Sequence, residues 1–227
     1  MQIRNPQSPI SNLQSCIVSP VPLHIVDHPL VHDALVRLRG HTTTHEEFRQ
    51  AATRISLMLV AEALRDLPTE PLQVHTPLAL AEGRRIGADI VVVPVLRAGL
   101  GMLDAVLTLV PSARVGHIGL QRDESTAIAS QYYSKLPTRL DLSHVLMIDP
   151  MLATGGSAVA ALDLLASAGA RTIKLICIVA APEGLALVQR KHPRVDIFTP
   201  VVDKELDTNK YIVPGLGDFG DRLYGTI

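Results

Sequence analysis

The sequence predicts an α/β fold: an open, mostly parallel sheet covered by helices on both faces. Three observations carry this. Short Val- and Ile-rich runs, apolar on both faces, recur along the chain with amphipathic helical patterns between them. Glycine-rich turns close two of the strand-to-helix junctions. Hydrophobic residues make up 47% of the 227 and charged residues 19%, enough to bury a core on each side of a sheet.

Residues 1–22 are rich in Pro, Ser, Asn and Gln and lack periodicity, which predicts a loose N-terminal arm ahead of one domain over 23–227. A helix is expected over 29–39, stopped by Gly40. Thr43 or Thr44 can cap the next helix, with Glu46 or Glu47 three residues on. Phe48, Ala51, Ile55, Met58 and Leu59 then repeat at helical spacing, predicting a helix over 45–66 that ends before Pro68. From there strands are expected at 90–96, 115–120, 144–149, 172–181 and 195–202, and helices at 100–109, 157–168 and 183–191. The polar stretch 121–135 reads either as a functional loop or as a solvated hairpin.

Composition excludes several classes. The net charge of −1 argues against a generally basic, nucleic-acid-binding surface. Two cysteines, Cys16 and Cys177, without a CxxC pair exclude a disulfide framework and a Cys-rich zinc site. No run approaches the ~18 apolar residues of a membrane span. The first residues lack an apolar signal core, so a cytoplasmic location is expected. His24, His28 and His32 recur every four residues, but Pro29 interrupts the helix that would align them as metal ligands.

The strongest chemical signal is the run Asp149, Pro150, Met151, Leu152, Ala153, Thr154, Gly155, Gly156, Ser157, between an apolar strand and a helix. In open parallel sheets ligands bind at the carboxyl ends of strands, where this loop must lie. The glycines admit an anion close to the backbone, Thr154 and Ser157 offer hydroxyls, and the helix start offers free N–H groups and a positive dipole end. One phosphate fits there, and Asp149 suits a sugar diol. No Lys follows the glycines, so this is not a Walker A loop. A second strand end, Val93–Met102, places Arg97 beside Gly99 and Gly101 and suits a diphosphate. In the third segment, Gln121–Ser125, Arg122 is the candidate anion contact, with Lys135 further on. The fourth, Tyr211–Asp221, exposes backbone groups through its glycines and suits the edge of a planar base.

In this order the segments resemble the uracil phosphoribosyltransferase family. The likeness covers about 28–227 and rests on HPLVHDALVRLR, VVPVLRAGLGM, VPSAR, DPMLATGGS, VAAPEG, YIVPGLGDFGD and the terminal YGT. It implies a type I phosphoribosyltransferase fold and the conversion of uracil and phosphoribosyl diphosphate to uridine monophosphate and pyrophosphate. It implies that Asp149 through Ser157 hold the ribose and its 5-phosphate, with Asp149 as the catalytic carboxylate, and that Arg97 and Arg122 meet the diphosphate. Ile212, Gly217 and Phe219 would read uracil largely through backbone groups, with Asp218 near both substrates. It further implies magnesium carried with the diphosphate, a homo-oligomer and a GTP effector. Departures stand beside these: Phe219 replaces a residue usually small, a choice that either is tolerated through backbone contact or narrows the pocket. QRDEST and QYYSKLP replace the family's usual pattern, and 72–88 is shortened. A competing class, a nucleotide-binding RNA regulator on the same fold, expects a basic face.

Overall fold

The structure is a computed structural model that describes residues 23–122 and 129–226. The predicted N-terminal arm and the tip of the polar segment lie outside the described residues.

The strands are β1 (Leu23–Ile25), β2 (Thr69–His75), β3 (Leu80–Ile86), β4 (Asp89–Leu96), β5 (Arg114–Val115), β6 (His117–Arg122), β7 (Ala129–Lys135), β8 (Ser143–Ile148), β9 (Met151–Leu152), β10 (Thr172–Ile176), β11 (Val179–Ala180), β12 (Asp196–Thr199), β13 (Glu205–Leu206) and β14 (Ile212–Val213). The helices are α1 (Pro29–Arg39), α2 (His45–Ala63), α3 (Leu100–Leu109), α4 (Gly156–Ser167), α5 (Pro182–Lys191) and α6 (Phe219–Tyr224). The main sheet runs β1-β12-β10-β8-β4-β6-β7, with β5 also paired to β4. All of its pairings are parallel except β6 with β7. The predicted doubly covered, mostly parallel sheet is therefore what the chain forms.

The apolar strands divide their side chains between two cores. Val92 and Ile148 face a layer that holds Phe48, Ile55, Leu59, Met102 and Phe219. Val91, Val93 and Met147 face the other, with Leu162, Leu165, Leu185 and Val188. This alternation explains why β4 reads as a continuous apolar run. Of the two capping options, Thr44 closes α2, accepting from Glu47 N–H while the Glu47 carboxylate accepts from Thr44 N–H. At the amino edge of the sheet, Asp89 accepts from the Arg114 guanidinium and from Ser143 Oγ (2.6 Å), which pins the starts of β4, β5 and β8 together.

Several expectations are corrected. The run 172–181 is not one strand: it breaks after Ile176, and Val179–Ala180 leaves the main sheet to pair with Met151–Leu152. The strand expected at 195–202 ends at Thr199, leaving only a bridge between Ala180 and Val202. Asp149 lies just past β8 rather than in it. The helix expected to 66 ends at Ala63. Within 121–135, β7 pairs antiparallel with β6, and the residues that join them lie outside the described residues. Periodicity missed the hairpin of β2 and β3, because nearly every residue in it is exposed and no buried face imprints a pattern.

Candidate active site

Two parallel neighbours carry β8 to its carboxyl end, where Ile148 is level with Pro94 of β4 and Ile176 of β10. Asp149 follows. Its N–H donates to the Ile176 carbonyl (3.1 Å), and its carboxylate Oδ1 accepts from Met151 N–H (3.3 Å). Burial pushes the Asp149 carboxyl up to about 7, against the opposing pull of the Met151 N–H. Burial thus favours the protonated form of this group more than in an exposed aspartate. Two hydroxyls donating to it would stabilise the charged form, which is what a ribose diol offers. Cys177, beside it on the buried side, has its thiol pushed up to about 12 by burial and is an inert core residue, as expected.

The chain after Asp149 is held by backbone bonds. Ile178 and Val179 N–H donate to the Pro150 carbonyl, β9 pairs with β11, and Ala181 N–H donates to Leu152 O (2.8 Å). The turn into α4 is made at Gly155, whose φ of +81° favours glycine. Gly184 on α5 packs behind it: a Cβ there would stand 2.5 Å from the Ala153 carbonyl oxygen. Gly155 gives α4 no side-chain cap; Gly156 N–H reaches Thr154 Oγ1 only at 3.4 Å. The first turn of a twelve-residue helix thus presents donor groups and a positive dipole end beside partly exposed Thr154 and Ser157. An anion of phosphate size fits that chemistry.

The Arg97 segment leaves the adjacent strand β4. A Cβ on Gly99 would stand 2.5 Å from Ile148 O, so this turn lies directly against the end of β8. The Leu96–Arg97 peptide is cis. The Arg97 side chain is exposed, 3.9 Å from Asp221 Oδ1, and Tyr224 Oη donates to its carbonyl (3.4 Å). Arg97 is therefore an available cation one strand away from Asp149.

The C-terminal segment completes the edge. β13 and β14 pair antiparallel, and the Asp207 carboxylate accepts from Asn209 and Tyr211 N–H to close their turn. Ile212 is buried, while Gly217 and Asp218 are exposed. Asp218 caps α6 through Oδ1, which accepts from Asp221 N–H (2.9 Å). The Phe219 ring is buried, 5.1 Å from Phe48 in an edge-on pair. The Arg122 backbone ends β6, and its side chain and the following loop lie outside the described residues.

Sequence reasoning missed three charged residues here. Asp203 is buried and accepts both guanidinium nitrogens of Arg39 and the Gly215 N–H. Arg222 donates to Leu38, Gly40 and Leu216 carbonyls, lies 4.5 Å over the Phe48 ring, and has its pKa pulled down by burial. An Asp ending the apolar run VDIFTPVVD was the available signal for the first. Nothing in the local sequence singles out Arg39 or Arg222.

A parallel sheet whose adjacent strand ends carry a carboxylate, a glycine turn at a helix start and an exposed arginine is the arrangement expected of a phosphoribosyltransferase. The uracil phosphoribosyltransferase family model matches residues 25–226, and the chain belongs to that family. Relatives named uracil phosphoribosyltransferase include one from Dictyoglomus turgidum, 49% identical over 203 residues, 89% of this chain and 98% of that one. Another, from Symbiobacterium thermophilum, is 51% identical over 203 residues, 89% of this chain and 97% of that one. A solved structure of a protein from Aquifex aeolicus superposes with a TM-score of 0.85 at 39% identity, covering 89% of this chain and 97% of that one.

Proposed function

We infer that this chain transfers the 5-phosphoribosyl group from phosphoribosyl diphosphate to uracil, giving uridine monophosphate and pyrophosphate. The observation that carries the reading is the packing of the Arg97 turn against the end of β8, which puts a cation and the Asp149–Ser157 loop on one edge. A substrate with an anion at each end of a ribose suits a cation and a helix N-terminus on the same edge. The relatives bear the name of the enzyme, and nothing in those names points to the competing RNA regulator.

In this reading the 5-phosphate sits on the N-terminus of α4 with Thr154, Gly155, Gly156 and Ser157, and Asp149 accepts the ribose hydroxyls. Pro150 through Ala153 supply the backbone that holds the loop. Arg97, and Arg122 from the end of β6, face the diphosphate. Ile212, Gly217 and Phe219 offer backbone groups to uracil, and Asp218 stands between the substrates. As the bond from the anomeric carbon to the diphosphate oxygen breaks, positive charge grows on the ribose ring and negative charge on the leaving group. The Arg97 guanidinium stabilises the second, and the Asp149 carboxylate faces the first. A uracil nitrogen bonds to the anomeric carbon from the opposite face, with inversion, and its proton passes to water.

In this reading magnesium arrives on the substrate diphosphate, and carboxylate oxygens such as those of Asp149 and Asp218 suit so hard a cation. Bound there, the ion would neutralise charge on the leaving group; Asp149 and Asp218 are the carboxylates placed to face it. No helix among the described residues is long and apolar enough to cross a membrane. A homo-oligomer belongs to the same reading, supported by Leu72, Val74, Leu78, Leu80 and Ile86, which are exposed on the hairpin of β2 and β3.

The test is a panel of uracil, cytosine, adenine, hypoxanthine and orotate with phosphoribosyl diphosphate and magnesium. Uracil alone should be converted. Equal turnover of orotate or a purine would overturn the assignment.

A further inference from the structure

Gly215 lies between Ile212 and Gly217 in the base-reading loop. Its φ is +55°, and a Cβ on it would stand 2.0 Å from Ile212 O. Both of its backbone polar groups are taken by one ion pair: its N–H donates to Asp203 Oδ2 (2.8 Å), and its carbonyl accepts from Arg39 Nη1 (3.1 Å). That pair is bidentate, Nη1 to Oδ2 at 3.0 Å and Nη2 to Oδ1 at 2.6 Å, with the Asp203 side chain only 4% exposed. The Asp203 backbone ties in the opposite direction. Its N–H donates to Ala180 O (2.8 Å), and Ala180 pairs with Leu152 in the phosphate loop. A continuous path thus runs from Leu152 through Ala180 and Asp203 to Gly215.

We propose that Arg39 and Asp203 are positioning residues that set the base-reading loop against the phosphate loop and so align uracil with the anomeric carbon. The proposal rests on the reading of 212–219 as the uracil loop. Removing water from two charges costs about as much as their attraction returns, so a buried ion pair is poorly explained by stability. Directional bonds are what it supplies. They matter here because in-line attack needs the reacting atoms aligned near contact distance, and a loop with few regular bonds does not hold such a position by itself. Arg222 anchors the neighbouring Leu216 to the end of α1 independently, so the loop stays attached when the pair is removed.

The experiment measures KM for each substrate in Asp203→Asn and in the double variant Arg39→Met with Asp203→Leu. The double variant replaces the pair by apolar groups of similar size and keeps the fold measurable by its thermal midpoint. Both should raise KM for uracil by about tenfold or more while KM for phosphoribosyl diphosphate moves by about twofold or less. Gly217→Ala is the control on the loop itself and should also raise KM for uracil. If Gly217→Ala acts but the folded double variant binds uracil like wild type, the positioning role is overturned. A parallel rise in both KM values, the mark of a merely structural pair, overturns it as well. If Gly217→Ala leaves KM for uracil unchanged, the loop reading fails and the positioning role with it.

Discussion

Gly99 packs so closely on Ile148 that a Cβ at position 99 would stand 2.5 Å from the Ile148 carbonyl oxygen, and 2.7 Å from both Val95 N and Val95 O. All three are backbone atoms, so no side-chain adjustment relieves the contact. The turn bearing Arg97 can lie directly against the end of β8, next to Asp149, because residue 99 has no side chain.

Gly99→Ala should therefore displace the Arg97 turn. Overpacking of this kind costs about 1–3 kcal/mol of stability. A displacement near 1 Å should lower kcat/KM for phosphoribosyl diphosphate by about 10²-fold. Thermal denaturation and steady-state kinetics measure the two effects; wild-type kinetics would show that the turn's position is not critical.

Asp149→Asn keeps the shape and removes the charge. It should lower kcat/KM by roughly 10²-fold or more, because a contact that orients the ribose and faces its charge is lost. The pH profile separates this from a packing effect. The Asp149 carboxyl rises from the usual carboxylate range to about 7 in the folded protein. The native state therefore holds a proton that the unfolded chain has released between about pH 4 and 7, and stability falls as pH rises through that window. Asp149→Asn should lose this slope and exceed wild type in thermal midpoint at pH 8. Wild-type kcat/KM should rise with pH through about 7 as the carboxylate forms, a step absent from the variant.

Gly184→Ala tests the proposed phosphate loop from behind. A Cβ there meets Ala153 O at 2.5 Å and Leu152 O at 2.8 Å, both backbone atoms of the loop. The loop must move, so KM for phosphoribosyl diphosphate should rise by about tenfold or more, with a smaller change for uracil. Initial rates at varied concentration of each substrate give the answer.

Phe219 separates packing from recognition. Its ring is buried against Phe48, and a Cβ on Gly101 would approach it to 3.1 Å. Phe219→Ala should cost about 3–5 kcal/mol in denaturant unfolding. Phe219→Leu should keep KM for uracil within about twofold, since only backbone is offered to the base. A large rise in that KM for a folded Phe219→Leu protein would place the ring in the pocket.

Much of the fold was legible because strand burial leaves a mark that neighbours in sequence share. β4, with every residue from Ile90 to Val95 buried, reads as a strand wherever it sits. The turn from Asp149 to Ser157 was legible for a similar reason: two glycines between an apolar strand and a helical pattern mark such a junction with local signals alone. Where residues 172–181 break was not legible, since every residue from Ile173 to Ala181 is buried on either side of the break. Pairing with β9 decides it, and that partner lies more than twenty residues earlier in the chain.

By itself, then, the sequence determined the alternation of strand and helix and the glycine turn between β8 and α4, because these depend on periodicity and on residue types a few positions apart. Only the tertiary structure decided that Gly99 lies against Ile148, that Phe219 belongs to the core and that Arg39 meets Asp203 across 164 positions. The physical reason is range. Hydrophobic periodicity and backbone preference act between near neighbours, whereas a close backbone approach or a buried ion pair depends on where distant segments arrive after the sheet has formed.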